Sequence, residues 1–110
     1  CGTRGWFYEL DNQGTHDEKV LLREVGRLET SLKAAGEREK LCFLHYPPIY
    51  QGYECPEILR LLKEYGAKAC YYGHLHGASH RRAIEGTRNG TLFSLVAGDF
   101  LGFVPKKICE

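Results

Sequence analysis

Three histidines are the residues of this chain best placed to do chemistry. His45 follows the apolar run Leu41-Cys42-Phe43-Leu44, and His74 and His76 follow a second run, Ala69-Cys70-Tyr71-Tyr72. Neutral imidazole is a common ligand for zinc, iron and manganese. Residues two apart in an extended segment project to the same side, so His74 and His76 can face one pocket. Gly73 and Gly77 flank the pair, and glycine lets the backbone pass close to a cation without a Cβ in the way. A single histidine after a strand is usually a hydrogen-bonded loop residue, and an H-x-H pair recurs by chance. The sharper signal is the ordered combination of apolar strand, His, Pro47-Pro48, helix, apolar strand and Gly-His-x-His-Gly, which points to a metal site.

Other polar residues have a functional and a plain reading side by side. Arg4 follows a strand end, where it can touch a phosphate or serve a structural role. His80, Arg81 and Arg82 form either a cationic rim for an anionic substrate or a solvated strand entry. Thr15-His16 is better explained by helix capping than by catalysis. Asp99 is a loop residue near the site or a turn former. Tyr46, Tyr50 and Tyr53 surround the His45 loop and either line a pocket or pack the core.

The elements that must position these residues are readable in the same way. Thr15 and Glu18 have capping-box spacing, and Leu21, Val25, Leu28 and Leu32 recur at helical spacing up to a stop at Gly36. Leu41 to Leu44 reads as a buried strand ended by the paired prolines. Pro56 suits the first position of a second helix running through Tyr65 to Gly66. Ala69 to Tyr72 is the next strand. Arg82–Glu85 and Thr91–Val96 flank Asn89-Gly90, a hairpin signal, and Leu101 to Ile108 can add a last edge strand. The order β-α-β-α-β-β implies a layered α/β fold, in which sites gather at the carboxyl ends of strands.

Composition sets outer bounds. The chain has 110 residues, enough for one domain, with 43% hydrophobic and 26% charged residues. A net charge of +1 gives no reason to propose a nucleic-acid or membrane partner. No run approaches the ~18 apolar residues of a membrane span. The five cysteines are odd in number and lack a CxxC pair, which favours reduced thiols and a cytoplasmic setting. There is no methionine, and Cys1-Gly2-Thr3-Arg4-Gly5-Trp6 reads like the tail of a strand already under way, so residues upstream of Cys1 are expected to be missing.

Leu44-His45-Tyr46-Pro47-Pro48 and, after a helix, Tyr72-Gly73-His74-Leu75-His76-Gly77 resemble the last two signature blocks of the calcineurin-like metallophosphoesterases. The opening Gly2 to Trp6 and the helix His16 to Ala35 resemble small bacterial members of that family, so the likeness spans nearly the whole chain. The resemblance implies that residues 1–110 are the C-terminal half of a four-layer α/β-β/α sandwich. It implies that His45 and His74 bind one metal ion and His76 the other, the pair being manganese, iron or zinc. It further implies a hydrolase that cleaves phosphate monoesters or diesters, of small molecules or phosphoproteins, with a two-metal-activated hydroxide. Arg4, His80 and Arg81 are the candidate substrate-binding residues.

The family's earlier blocks (D-x-H, G-D-x-x-D and G-N-H-D/E) do not occur here, and Asp11, Asp17 and Asp99 lack their surroundings. The bridging aspartate and the acid histidine are therefore missing, the catalytic residues stay unknown, and the isolated chain is expected to be inactive. Three imidazoles alone hold two dications weakly, because nothing offsets the repulsion between the cations. Two alternatives remain open: an inactive remnant or binding module, and a small Cys/His zinc protein using Cys70 with His74 and His76. A half-sandwich is also expected to leave strand edges and an apolar sheet face exposed, inviting self-association.

Overall fold

The computed structural model describes residues 1–6 and 15–109, with side chains from residue 17 onward in the helix that opens at Thr15. Asp11 and the side chains of Thr15 and His16 lie outside the described residues, so neither the capping box nor the His16 reading is addressed. The elements run β1 (Gly2–Thr3), α1 (Thr15–Ala34), β2 (Leu41–Leu44), β3 (Ile49–Tyr50), β4 (Tyr53–Glu54), α2 (Pro56–Glu64) and β5 (Ala69–Tyr72). A 3-10 turn (Gly77–Arg82) and the strands β6 (Gly86–Arg88) and β7 (Thr91–Leu95) complete the order. The protein is an α/β fold built on one mixed five-stranded sheet.

Each helix follows from local chemistry. In α1, Leu21, Leu28 and Leu32 are buried along one stripe, with Val25 half-buried beside them. Glu29 and Lys33 pair across one turn at 3.1 Å. α2 starts with Pro56 in its first turn, where the missing N–H has no partner to lose. It ends at Gly66 (φ +64), with Ala67 N–H donating to Leu62 O and Gly66 N–H to Lys63 O. These paired bonds satisfy carbonyls that the helix end leaves bare.

The strand order is β1-β2-β5-β7-β6, with the first four parallel and β6 antiparallel to β7. Alternation then divides the side chains. Cys42, Leu44, Cys70, Tyr72, Phe93 and Leu95 pack with Leu28, Leu32, Ile58, Leu61 and Leu62 into one core between sheet and helices. Fully burying each such aliphatic chain is worth ~1.5–3 kcal/mol. The opposite face carries Phe43, stacked on Tyr71 at 5.3 Å, and Leu92; Phe43 and Leu92 stay exposed.

Two expectations about the last third change. Arg82 to Glu85 does not form a strand; Ala83 makes one isolated bridge to Tyr50, and the ladder with β7 begins at Gly86. The reason is a competing partner, because the Tyr72 hydroxyl donates to Ile84 O at 2.7 Å and accepts from Ile84 N–H at 2.9 Å. Leu101 to Ile108 is not a strand either. Gly102, Phe103 and Val104 spend their N–H groups on Asp99, Gly98 and Leu101, and Gly102 and Phe103 are left-handed (φ +63 and +58). The hairpin at Asn89-Gly90 is as read, both residues having positive φ (+52 and +82). A second, two-stranded hairpin of β3 and β4 was not anticipated. Among the described residues no helix is long and apolar enough to cross a membrane.

Candidate metal centre

Register brings the histidines to one edge. Thr3 pairs with Leu44, Leu44 with Tyr72 and Tyr72 with Leu95, so Arg4, His45, Gly73 and Val96 all emerge level at the carboxyl ends of parallel strands. Backbone bonds continue the alignment past the strands: His45 N–H and Tyr46 N–H donate to Arg4 O, and Gly73 N–H donates to His45 O at 3.1 Å. Gly77 is needed for its conformation (φ +55) rather than for space, since a Cβ there would meet nothing within 4 Å.

His45 Nε2 and His74 Nδ1 face one another at 3.3 Å. Two nitrogens each ~2.0–2.1 Å from one cation at the tetrahedral angle stand ~3.3–3.4 Å apart. The contact is a hydrogen bond between imidazoles of complementary tautomer, and its length is also the span of two ligands on a single ion. Burial, followed by the neighbouring His45 and His76 rings, lowers the His74 pKa below its ordinary value, a shift towards the neutral form that a metal ligand requires. Tyr46 walls the pair, its ring 4.7 Å from those of both histidines, and packs edge-on to Trp6 at 5.2 Å. Tyr50 and Tyr53 instead stack on one another in the β3–β4 hairpin. His74 holds φ +70, a left-handed conformation that costs a non-glycine residue ~1–2 kcal/mol. Such strain gathers at functional sites.

His76 has a different partner. Its Nδ1 lies 2.9 Å from Asp99 Oδ1, and Asp99 Oδ2 accepts the Gly77 N–H at 3.0 Å. The hydrogen bonds from His76 and then Gly77 hold the Asp99 carboxyl well below the usual carboxylate range. His80 Nε2 approaches Oδ1 to 3.1 Å, yet the atom is buried without an aligned hydrogen-bond partner. Donor atoms of His76, His80 and Asp99 lie within 4.8 Å of one another, close enough to hold a cation. The 3-10 turn of Gly77–Arg82 makes this cluster possible, by folding His80 back against Asp99 and Phe100.

The remaining candidates separate. Arg4 lies level with His45, but its guanidinium sits 3.5 Å from the buried Glu24 and 4.7 Å over the Trp6 ring. Glu24 also accepts from Arg27 one turn along α1 and from Thr3 Oγ1, the latter bond fastening α1 to β1. His80 is packed at Asp99 rather than on a rim, while Arg81 and Arg82 are exposed. Cys70 is fully buried in the core and burial pushes its thiol pKa up, the opposite of what a thiolate ligand requires, which counts against a Cys/His zinc site. All five cysteines are unbridged.

An open cleft of 340 Å³ lies away from this edge, lined in part by Ile49, Leu59, Leu62, Arg88 and Phe93. Sequence reasoning left Asp99 between two roles, and its 23-residue separation from His76 offers no spacing signal. Comparison of the chain with protein-family models, characterised proteins and solved structures finds no match.

Proposed function

We propose that the chain supplies the histidine half of a two-metal phosphoesterase centre, within a larger four-layer sandwich whose other half carries the carboxylate ligands. The observation that carries this reading is the facing of His45 Nε2 and His74 Nδ1 at 3.3 Å, on the carboxyl edge of a parallel sheet and two residues before His76. His45 and His74 hold one divalent ion (manganese, iron or zinc) and His76 contributes to the second. Bound ions of this kind stabilise charge building on phosphoryl oxygens during hydrolysis of a monoester or diester. The chain's own part is to orient three imidazole rings from a rigid strand edge, with Tyr46 walling one side of the pair. Arg4 and Arg81 are candidates to meet the anionic substrate; Arg4 first has to share its guanidinium with Glu24.

The test has two readings. Calorimetric titration of the 110-residue chain with manganese or zinc is expected to show binding that His74→Ala weakens by at least about tenfold. In the complete gene product, aryl phosphate hydrolysis with manganese is expected, and His76→Ala should lower it by about 100-fold or more. Unaltered hydrolysis in that variant removes His76 from the centre. Metal binding with no turnover in the complete product favours a cation-binding module instead, a reading that the compact His76–His80–Asp99 group independently supports.

A further inference from the structure

We propose that Asp99 is the positioning residue of His76: it holds the ring in the Nδ1–H tautomer, so that Nε2 is left as the lone-pair donor. What Nε2 then serves rests on the two-metal reading above; how the ring is held does not. A neutral imidazole carries one N–H and one lone pair, and the partner of the first nitrogen decides the role of the second. His76 Nδ1 meets Asp99 Oδ1 at 2.9 Å, and a carboxylate can only accept, so the proton sits on Nδ1. The backbone beneath the ring is fixed as well, His76 N–H donating to Ser79 Oγ and Ser79 Oγ–H to His76 O.

Counting lone pairs separates this role from direct ligation by the carboxylate. Oδ1 takes His76 Nδ1–H and the Phe100 N–H at 3.1 Å, and Oδ2 takes the Gly77 N–H. Three of ~four acceptor positions are thus filled by fixed donors, including both on Oδ1, where His80 Nε2 also crowds in at 3.1 Å; one position on Oδ2 stays open. Asp99 is built to receive protein N–H groups. One step behind the ring, its charge makes His76 a stronger donor and partly offsets the cation repulsion that three neutral imidazoles leave uncompensated.

The experiment uses the metal-free 110-residue chain labelled with 15N, its histidine tautomers read from long-range ring couplings at alkaline pH, where the rings are neutral. His76 is expected as the Nδ1–H form; a dominant Nε2–H form overturns the proposal without any variant having to fold. In Asp99→Ala the ring should move towards Nε2–H, whereas Asp99→Asn keeps an acceptor oxygen and should retain Nδ1–H. An unchanged tautomer in folded Asp99→Ala also overturns it. Zinc titrations supply a second readout. Asp99→Ala is expected to raise the dissociation constant about 10- to 100-fold, Asp99→Asn by less, and His80→Ala by under about threefold. Equal losses for His80→Ala and Asp99→Ala would mean a direct His76–His80–Asp99 chelate and defeat the proposal. The expected tautomers with no zinc bound by the 110-residue chain would uphold the positioning, and the two-metal reading would then be decided by the hydrolysis assay of the complete product.

Discussion

His74 carries the clearest conflict between conformation and chemistry. Its φ of +70 suits glycine, yet an imidazole stands there facing His45. If the ring is kept for ligation, replacing it should expose the backbone cost directly. His74→Gly is expected to be more stable than His74→Ala by about 1 kcal/mol, measured by urea unfolding, because both lose the ring and only glycine relaxes at positive φ. Equal stabilities would mean that the turn at residue 74 bears no strain. The position of His45, His74 and His76 at strand ends was legible in the sequence, because apolar runs bounded by Pro47-Pro48 and Gly73 mark where the strands stop. Asp99 was not. It meets His76 only because the β7 exit and the turn at residues 99–103 fold across the sheet edge, a long-range contact that no local pattern encodes.

At the scale of elements, the two helices and the strands β1, β2, β5 and β7 follow from period and punctuation, while Arg82 to Glu85 and Leu101 to Ile108 do not. The Tyr72 hydroxyl takes the backbone groups of Ile84 out of any ladder, and local turn bonds do the same after Asp99. Both effects are tertiary choices overriding a plausible strand pattern. Glu24 is a similar surprise, a carboxylate on the buried stripe of α1, tolerable because Thr3 and Arg27 satisfy it from two directions. The packing of α1 on α2 adds a pH dependence. Glu29 accepts from both Lys33 and the Tyr65 hydroxyl, and these bonds hold its pKa below the ordinary 4.5. A lowered folded pKa stabilises above the unfolded value, and the gain disappears as pH falls through the folded one. Glu29→Gln should therefore flatten the loss of stability between about pH 5 and pH 3 in urea midpoints. An unaltered acid slope would show that the helix pair does not feel this carboxylate.

For the whole molecule, one sheet face is covered by helices; the other is crossed by the last residues, Lys106 Nζ donating to Ser94 Oγ, and still leaves Phe43 45% and Leu92 39% exposed beside buried Tyr71. Phe103 and Val104 add apolar surface at 82% and 66% exposure. A face of this kind drives association when it finds a partner. The average mass in sedimentation should rise with concentration, and Phe43→Lys should lower it while changing unfolding free energy by less than about 1 kcal/mol. A monomer independent of concentration would remove self-association as a property of this face.

The bond between Tyr72 and Ile84 has a kinetic consequence for the same molecule. Burial raises the phenol pKa to about 12, so the hydroxyl remains both donor and acceptor and ties a 12-residue excursion at its root. Three of the chain's five histidines ride on that excursion. On the metal-centre reading proposed above, the His76 and His80 donor atoms stand beside Asp99 before any ion arrives, and capture would demand little new ordering of the loop. Differences in affinity among ions should then lie chiefly in how fast each escapes rather than in how fast each enters.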